Sequence, residues 1–354
     1  MTEDRSFGGT INWENLQAFV AEQPGVPGDG PLTGITELVG GSQNLIYLLE
    51  RGPERFVLRR PPRHPRPGNN ETMLREAKVL QGLAGSDVPR ADFYAVCDDE
   101  EVLGVAFYLM SFIDGFTPRG PLPGKYGTNP SWRRTLAEEL ISGAAKLGNI
   151  DPFAVGLGDL GKPEGWAERQ VARWRSQLDG YSELDGYDGP ELPGFEQIAN
   201  WLESNTPKDY RIGIDHGDCQ FANVMFAHDE PRLAAFVDWE MSTLGDPLLD
   251  LGWILTSWIE PGDPPGKGPM VEPWEDFPSR AELVHLYCAQ TGRRPDEVPW
   301  FFVLACYKLG VVLEGSWARA KAGKIPMDLG QSLHDYGAWL FAKARQLVDD
   351  GPSW

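Results

Sequence analysis

Two short segments carry polar side chains in otherwise apolar, strand-like surroundings. HGDCQFANVMF, residues 216–226, contains Asp218 and Asn223, and FVDWE, residues 236–240, contains Asp238. Keeping a carboxylate ionised away from water is costly unless a partner or a metal ion neutralises it. These three residues are therefore candidates for chemistry rather than for core packing.

The types of these side chains match the needs of phosphoryl transfer. If the two segments form a small hairpin, Asn223 before the first strand and Asp238 after the second can direct their oxygens at one place. Mg²⁺ prefers carboxylate and amide oxygens and leaves its other positions to phosphate and water. Asp218 then remains free to accept a proton from an attacking hydroxyl. The spacing predicts a base at Asp218 and a Mg²⁺ site at Asn223 and Asp238.

The motif HGD-x₄-N, followed by a hydrophobic strand and DWE, resembles the Brenner-type motif of the aminoglycoside phosphotransferases and their relatives. That family shares the protein-kinase-like fold, and kinases space the base and the metal-binding Asn of their catalytic loop identically, as H-R-D-x₄-N. The resemblance implies that Asp218 is the catalytic base. It also implies that Asn223 and Asp238 are the two Mg²⁺ ligands.

Two further residues are expected to hold this loop rather than to touch substrate. The family's GDP-x₂-DL pattern recurs within STLGDPLLDLGWI, and the residue that matches Asp250 braces the catalytic loop. His216 neighbours Asp218 and invites a general-base interpretation. In similar loops, however, this His packs and hydrogen-bonds to hold the turn. We therefore expect both Asp250 and His216 to be structural.

A lobe that binds a nucleotide needs backbone N–H groups over the phosphates, a cation on them, and a carboxylate that holds the cation. GGSQN, residues 40–44, opens a strand and is the candidate glycine-rich cover, with Gly41, Ser42 and Asn44 as its phosphate contacts. Glycines allow such close backbone approach. The alternative is that the glycine pair is only a turn, and the segment alone does not decide between the two.

The segment FVLRR offers two arginines where kinases and most aminoglycoside phosphotransferases have a lysine. Strand alternation places only one of them in the cleft, and we expect it to be Arg59 rather than Arg60. Glu76, on the next predicted helix, would hold Arg59 as the helix-C glutamate of kinases holds their lysine. Arginine binds phosphate bidentately but is not interchangeable with lysine. The LR-[RK]-P-P context resembles the branch found beside, or fused to, acyl-CoA dehydrogenases, which brings hydroxyacyl-CoA acceptors into consideration.

The segment FYLMSFIDG, residues 107–115, lies where a kinase-like fold has the hinge between its lobes. Main-chain groups would hold adenine there, namely the carbonyl of Ser111 and the N–H of Ile113. An ordinary edge strand is the alternative. The position of the segment after the glycine pair, the arginines and Glu76 favours the hinge.

The elements that must position these residues fall into two compositional regimes. Before residue 113, strand-like runs surround one helical stretch, with strands at 44–49, 56–59, 91–97 and 104–112 and a helix at 71–85. After it, helical periodicity dominates, at 131–150, 166–178 and 300–322, with a long loop at 260–278. We predict an α+β, two-lobed protein-kinase-like fold, with a small β-rich N-lobe at 1–113 and a larger, mainly helical C-lobe at 114–354.

Composition limits the class of partner. The 354 residues are 41% hydrophobic, which supports a core, and their net charge of −20 argues against nucleic-acid binding. The charge is compatible with cationic substrates or simply with solubility. The four cysteines lack the paired spacing of zinc or disulfide sites. The opening MTEDRSFGGT lacks a basic start and an apolar run, and apolar stretches such as LGWILTSWI fall short of the roughly 20 residues that span a bilayer. We expect a cytoplasmic protein with no membrane partner.

The sequence thus predicts an ATP- and Mg²⁺-dependent phosphotransferase that moves the γ-phosphoryl group to a hydroxyl of a small molecule. Aminoglycosides, choline-like amines, sugars and hydroxyacyl thioesters all remain open as acceptors, and Glu314, Trp317 and Arg319 are candidates to face them. One alternative is a pseudokinase-like module that binds nucleotide or acyl-CoA with little turnover. Another is a different metalloenzyme, such as a hydrolase, but it leaves Arg59 and Glu76 without a role.

Overall fold

The computed structural model of the chain describes residues 10–38, 44–264 and 270–351. The helices of this part are α1 Trp13–Ala21, α2 Asn69–Gly82, α3 Glu100–Leu103, α4 Gly124–Thr128, α5 Pro130–Gly148, α6 Gln170–Gly180, α7 Phe195–Ser204, α8 Leu248–Ser257, α9 Arg280–Thr291, α10 Val298–Lys321 and α11 Met327–Asp350. The strands are β1 Gly34–Leu38, β2 Leu45–Arg51, β3 Glu54–Arg60, β4 Phe93–Cys97, β5 Phe107–Ser111, β6 Gly120–Pro121, β7 Gly213–Asp215, β8 Val224–Phe226, β9 Leu233–Phe236, β10 Thr243–Gly245 and β11 Val271–Glu272.

The N-terminal strands form one antiparallel sheet of five, in the order β1-β2-β3-β5-β4. The strands predicted at 44–49 and 56–59 are present as β2 and β3 and form a hairpin. Its turn contains Gly52 at φ +61°, a left-handed conformation that glycine adopts at little cost. The sequence did not indicate β1. This strand lies at the edge of the sheet with its residues only partly buried, so GITEL lacks a clear alternation of apolar and polar positions.

Two predicted boundaries in this region were wrong. The helix predicted at 71–85 spans Asn69–Gly82. Between the strands predicted at 91–97 and 104–112 the chain forms the one-turn helix α3, because the Asp99 side chain accepts a hydrogen bond from the Glu101 N–H and caps it. Gly104, at φ +75°, ends that helix, so β5 begins only at Phe107.

The sheet divides the core in two. One face packs against α1, where Leu16 and Val20 join Phe56, Leu58 and other residues in a small cluster. Helix α2 packs on the other side, and its apolar residues belong to the large cluster that also contains α5, α8 and α10. The helix that carries Glu76 is therefore anchored in the same core as the C-terminal helices.

The C-terminal part is mainly helical, with short strand pairs at the point where it meets the sheet. Strands β8 and β9 form an antiparallel hairpin, and β7 pairs with β10. Helices α10 and α11 pack side by side in the centre of this part. The predicted α+β, two-lobed fold is confirmed.

One helical segment of the described chain, Pro295–Lys321, is long and apolar enough by length and composition to cross a membrane. The expectation that the longest apolar stretches are too short to span a membrane was wrong for this segment. Isolated charged residues such as Lys308 interrupt it, so the sequence shows no continuous apolar run of that length. In the fold, 83% of its most apolar window is buried, which is the environment of a central core helix.

Candidate active site

The β8–β9 hairpin brings the two predicted metal ligands to one end of the cleft. Val224 lies opposite Phe236 in the ladder, and the Val237 N–H donates to the Asn223 carbonyl at 3.0 Å. Asn223 directly precedes the first strand, and Asp238 follows the second after one residue. Because the two strands pair, the residues at their ends, Asn223 and Asp238, lie next to each other, as the sequence spacing predicts.

The Asp218 carboxylate lies beside this end of the hairpin and accepts three side-chain hydrogen bonds. Asn223 Nδ2 donates to Oδ2 at 2.6 Å, while Gln220 Nε2 and Trp253 Nε1 donate to Oδ1 at 2.6 and 2.9 Å. Three donors fix the direction of the carboxylate. Because the Asn223 amide nitrogen is engaged in this way, its oxygen remains available as an acceptor or a metal ligand.

Asp250 and His216 lie where structural roles require them. The Asp250 carboxylate accepts the His216 N–H at 2.6 Å and the Gly217 N–H at 3.0 Å, so it holds the backbone of the loop. His216 is fully buried and its Nε2–H donates to the Val237 carbonyl at 3.1 Å. Burial lowers the pKa of His216, which favours the neutral ring. The ring therefore ties the loop to the hairpin from inside the core.

Arg59 joins the sheet to the helical part through two ion pairs. Its Nε lies 3.0 Å from Glu76 Oε2, and its Nη2 lies 2.7 Å from Asp238 Oδ1. Glu76 is fully buried and also accepts the Tyr108 hydroxyl at 2.9 Å. Burial raises the pKa of Glu76, while Arg59 and the Tyr108 hydrogen bond oppose the rise. Arg60, in contrast, donates to the Thr10 carbonyl on the other side of β3, so the structure places Arg59 in the cleft.

The other predicted nucleotide contacts are only partly placed. Gly41 and Ser42 lie outside the described residues, and Asn44 is half-buried immediately before β2. Ser111 is the last residue of β5, and its hydroxyl accepts the Asp92 N–H at 2.8 Å. The Ile113 N–H, just beyond β5, donates no hydrogen bond within the described chain, so it is available to a ligand at the junction of the lobes.

The oxygen donors at this centre fit a hard divalent cation. Asp238 lies at φ 66° and ψ 63°, a conformation that Asp tolerates better than most residues and that directs its side chain into the cleft beside Arg59. Glu240, which was not predicted as a ligand, places a carboxylate oxygen within 4.8 Å of oxygens of Asp238 and Glu76. Arg59 and Tyr108 occupy both Glu76 oxygens, whereas Arg59 occupies Oδ1 of Asp238 and leaves Oδ2. Among the described residues, the available ligands are therefore Asn223, Asp238 and Glu240. This set of carboxylate and amide oxygens suits Mg²⁺.

Sequence reasoning missed Lys308, which lies on the inner side of the catalytic loop. Its buried ammonium lies 3.3 Å from the Gly217 carbonyl and 4.6 Å from the ring centre of Trp253, the residue that donates to Asp218. Burial lowers the pKa of Lys308, and the nearby carboxyl groups of Asp215 and Asp250 oppose this effect. Lys308 is 91 positions from Gly217 in the chain, so no local spacing could indicate the contact.

Two of the three residues on the same helix that were predicted to face the acceptor, Glu314 and Trp317, are buried. Glu314 is fully buried and bonds to the Tyr187 hydroxyl and to His334 Nδ1, both at 2.7 Å. Trp317 is also buried, in a small cluster with Tyr187. Helical periodicity could not predict that these two residues are buried, because α10 is buried around most of its circumference.

Gly245 makes room for the Asp215 carboxyl. A Cβ at Gly245 would overlap Asp215 Oδ2 and lie 2.9 Å from Trp166 Nε1. We therefore expect Gly245→Ala to lower the free energy of unfolding by about 1–3 kcal/mol, measured by urea denaturation. Gly180→Ala is the matched control: it ends α6 with no atom within 4 Å of the added methyl group and should be neutral or slightly stabilising. Equal stability of Gly245→Ala and the parent would show that Asp215 is not held in this position.

The family is identified by a match over most of the chain. A family model described as the phosphotransferase enzyme family, APH, matches residues 34–283, a range that contains the sheet, the catalytic loop and the hairpin. The chain belongs to this family.

Curated relatives of this APH-family chain support the acyl-CoA dehydrogenase branch. Acyl-CoA dehydrogenase family member 11 of Rattus norvegicus is 28% identical over 87% of this chain and 40% of its own length. Family member 10 of Mus musculus is 24% identical over 89% of this chain and 29% of its own length. The chain thus spans about two fifths or less of these relatives. The predicted resemblance to the branch associated with acyl-CoA dehydrogenases is confirmed.

Solved structures support the same fold. A Ralstonia eutropha protein named as an aminoglycoside phosphotransferase has a TM-score of 0.78 and 29% identity, with 95% of this chain and 99% of that chain covered. Choline kinase from Cryptosporidium parvum has a TM-score of 0.60 and 14% identity, with coverage of 96% and 97%. At that identity the kinase supports the fold alone. Together with the family match, these likenesses show a member of the phosphotransferase enzyme family with a kinase-like fold.

Proposed function

We propose that this chain transfers the γ-phosphoryl group of ATP to a hydroxyl of a small-molecule acceptor, and that the reaction depends on Mg²⁺. The observation that carries the proposal is the convergence of Asp218, Asn223 and Asp238 at one end of the β8–β9 hairpin, opposite Arg59. A hydroxyl acceptor needs a base, a metal site and a cation on the transferred group, and these residues supply all three.

Asp218 is the proposed base. Its carboxylate is held by Asn223, Gln220 and Trp253, so an incoming hydroxyl meets an acceptor oxygen whose direction is already fixed. Asn223 and Asp238, with Glu240 beside them, would hold Mg²⁺, which would neutralise charge on the transferred phosphoryl group. Positioning and electrostatic stabilisation carry most of the barrier reduction in such reactions.

Arg59 is the proposed phosphate contact; Glu76 holds it on its inner side, and the Tyr108 hydroxyl in turn holds Glu76. A buried, fully partnered Glu76 restricts the guanidinium to few positions, which reduces the entropy lost when it meets a phosphate. The Ile113 N–H at the junction of the lobes, which has no acceptor among the residues that the structure describes, is the proposed adenine contact. Among acceptors, the acyl-CoA dehydrogenase relatives favour a hydroxyacyl thioester over an aminoglycoside.

One observation favours a second candidate function, a module that binds nucleotide with little turnover. Arg59 Nη2 lies 2.7 Å from Asp238 Oδ1, so the arginine occupies an oxygen that the metal would use. A lysine, with a single compact ammonium, would reach fewer partners from the same strand. In an active enzyme this ion pair must open when ATP and Mg²⁺ bind.

The test combines binding and turnover. We expect ATP to bind more tightly with Mg²⁺ than with EDTA in isothermal titration calorimetry, and ADP to be released when hydroxyacyl-CoA or aminoglycoside acceptors are added. Asp238→Asn should remove the Mg²⁺ effect on ATP affinity, because an amide is a weaker ligand for a hard cation than a carboxylate. Asp229→Asn, an exposed position in the turn between β8 and β9, is the control and should behave as the parent. If ATP binds equally well with and without Mg²⁺, and no ADP is released, the result would support the binding module instead.

A further inference from the structure

A cavity of about 500 Å³ adjoins the proposed catalytic centre. The cavity is enclosed by helix α6 with the segment before it, by helix α2, and by the chain from Glu240 to Leu249. Lys308 closes its inner end. Two contacts tie it to the reaction centre: Lys308 lies 3.3 Å from the carbonyl that precedes Asp218, and Glu240 belongs to the candidate metal site. A molecule in this cavity would lie beside the catalytic loop.

The charge of the cavity is opposite to that of the protein. Of its 17 lining residues, five are basic and two are acidic, whereas the whole chain has 32 Lys and Arg against 52 Asp and Glu. The basic residues are Arg75, Lys162, Arg169, Arg173 and Lys308. A local excess of positive charge in so acidic a chain would attract anions into this cavity.

These basic side chains are not paired with carboxylates in the described structure. Within the described ranges none of the five forms an ion pair, although Arg175, on the same helix as Arg173, pairs with Glu196 at 2.5 Å. Lys162 and Arg173 are exposed, and Arg169 donates only to the Lys162 carbonyl. Their positive charges are thus available to a ligand.

Two tryptophans lie in the wall of the cavity. Trp166 is 4% exposed and Trp174 is 5% exposed. Trp166 and Trp174 also give the cavity apolar surface for the carbon skeleton of a small molecule.

The two acidic residues do not reverse this charge. Asp215 is buried with both carboxyl oxygens unpartnered in the described chain, and burial and the neighbouring Asp250 raise its pKa well above its ordinary value, which favours the neutral form. Glu240 faces the candidate metal site. A cationic acceptor would therefore find little negative charge to bind, and the guanidinium groups of Arg169 and Arg173 close by.

We propose that this cavity is the acceptor site and that it selects an acceptor with an anionic group, a carboxylate or a phosphate, held by Arg169 and Arg173 while the hydroxyl meets Asp218. This inference rests on the proposed phosphotransfer, and it adds the charge class of the acceptor. The anion can come from a free hydroxy acid or from the phosphates of a CoA thioester, and the two sources are separable by experiment.

The experiment measures binding separately from turnover. Calorimetric titrations use CoA and 3-hydroxybutyrate as anionic probes, with neutral 1,3-butanediol and the polycation kanamycin as comparisons, each with and without AMP-PNP and Mg²⁺. We expect CoA, 3-hydroxybutyrate or both to bind the parent, with an affinity that falls as KCl is raised. The double variant Arg169→Gln/Arg173→Gln should weaken that binding at least about tenfold. Arg175→Gln, on the same helix but outside the cavity, should change it less than about twofold.

Each result has one meaning. CoA binding alone assigns the anion to phosphates, and 3-hydroxybutyrate binding assigns it to a carboxylate. The inference is overturned if neither anion binds, if the double variant binds them as tightly as the parent, or if butanediol or kanamycin binds at least as well. ADP release from hydroxybutyryl-CoA or 3-hydroxybutyrate is then assayed. Anion binding at this site without ADP release would contradict the proposed phosphotransfer but not the anion site.

Discussion

Asp218→Asn is expected to lower kcat for ATP-dependent phosphorylation of the acceptor by about 10²- to 10⁴-fold, the usual contribution of a positioned base. The neutral amide can still accept the hydrogen bond from Trp253, but it cannot take the proton of the attacking hydroxyl. The KM for ATP should change less than kcat, because Asp218 reaches the proposed nucleotide–metal site only through its hydrogen bond with Asn223 in the described structure. Initial rates of ADP release over a range of acceptor concentrations measure both parameters.

Two comparisons make this result interpretable. An Asn at position 218 can present its own donor to Asn223 Nδ2, which now donates to Asp218 at 2.6 Å, and the Asn223 amide must then turn. Asp218→Ala removes the base without adding a donor, so agreement between the two variants assigns the loss to the base. Asp229→Asn controls for the change of charge. A rate within about twofold of the parent in both Asp218 variants would remove Asp218 from the mechanism.

The largest expected effect on stability comes from Arg59→Met. This change leaves Glu76 fully buried with the Tyr108 hydroxyl as its one remaining hydrogen-bond donor of those the structure describes. Breaking a buried ion pair on one side typically costs about 3–5 kcal/mol, and we expect a loss of that size in the free energy of unfolding near neutral pH. Urea denaturation followed by circular dichroism measures it.

The loss should depend on pH in a defined direction. Burial already raises the pKa of Glu76 above its ordinary 4.5, and removing Arg59 removes the strongest opposing effect. In the variant, folded Glu76 therefore keeps its proton to a higher pH than unfolded Glu76. The folded state then binds more protons, so stability relative to the parent falls as the pH rises above about 4.5 and is largely regained below it.

Two further variants test the cause. Arg60→Met changes the neighbouring arginine, whose described contact is the Thr10 carbonyl and no carboxylate, so its effect should not vary with pH in this range. Arg59→Met/Glu76→Gln leaves no buried charge and should regain part of the lost stability. A loss for Arg59→Met that is independent of pH, with no recovery in the double variant, would mean that Glu76 is not the source.

Local spacing allowed the catalytic loop and its hairpin to be predicted. Asp218 and Asn223 lie on one short loop, and strand pairing then places Asp238 beside them. The pair of Arg59 and Glu76 was also predictable, because strand alternation and the order of strand and helix limit which cation faces which carboxylate. In these cases neighbouring positions in the sequence determine neighbouring positions in space.

The acceptor side could not be predicted in this way. Lys308 reaches the catalytic loop from a distant helix, and helical periodicity marks only that α10 is apolar. The positive cavity collects side chains from α2, α6 and α10, so the charge summed over the chain has the opposite sign to the charge at the site. Net charge, which left cationic substrates open as one alternative, describes the chain on the wrong scale, since a ligand interacts with charges within about one Debye length, ~8–10 Å.

The Arg59–Asp238 ion pair has a consequence for the thermodynamics of ligand binding. In the proposed reaction the nucleotide phosphates take Arg59 from Asp238, and this exchange frees the Asp238 carboxylate for the cation. Asp238, if it bound the cation, would likewise release Arg59 to the phosphates. Each ligand thereby lowers the free-energy cost of binding the other, and by linkage the two effects are equal. A lysine with a shorter reach would lack this coupling, so the substitution of arginine can make the chain respond to ATP and Mg²⁺ together rather than to either one alone.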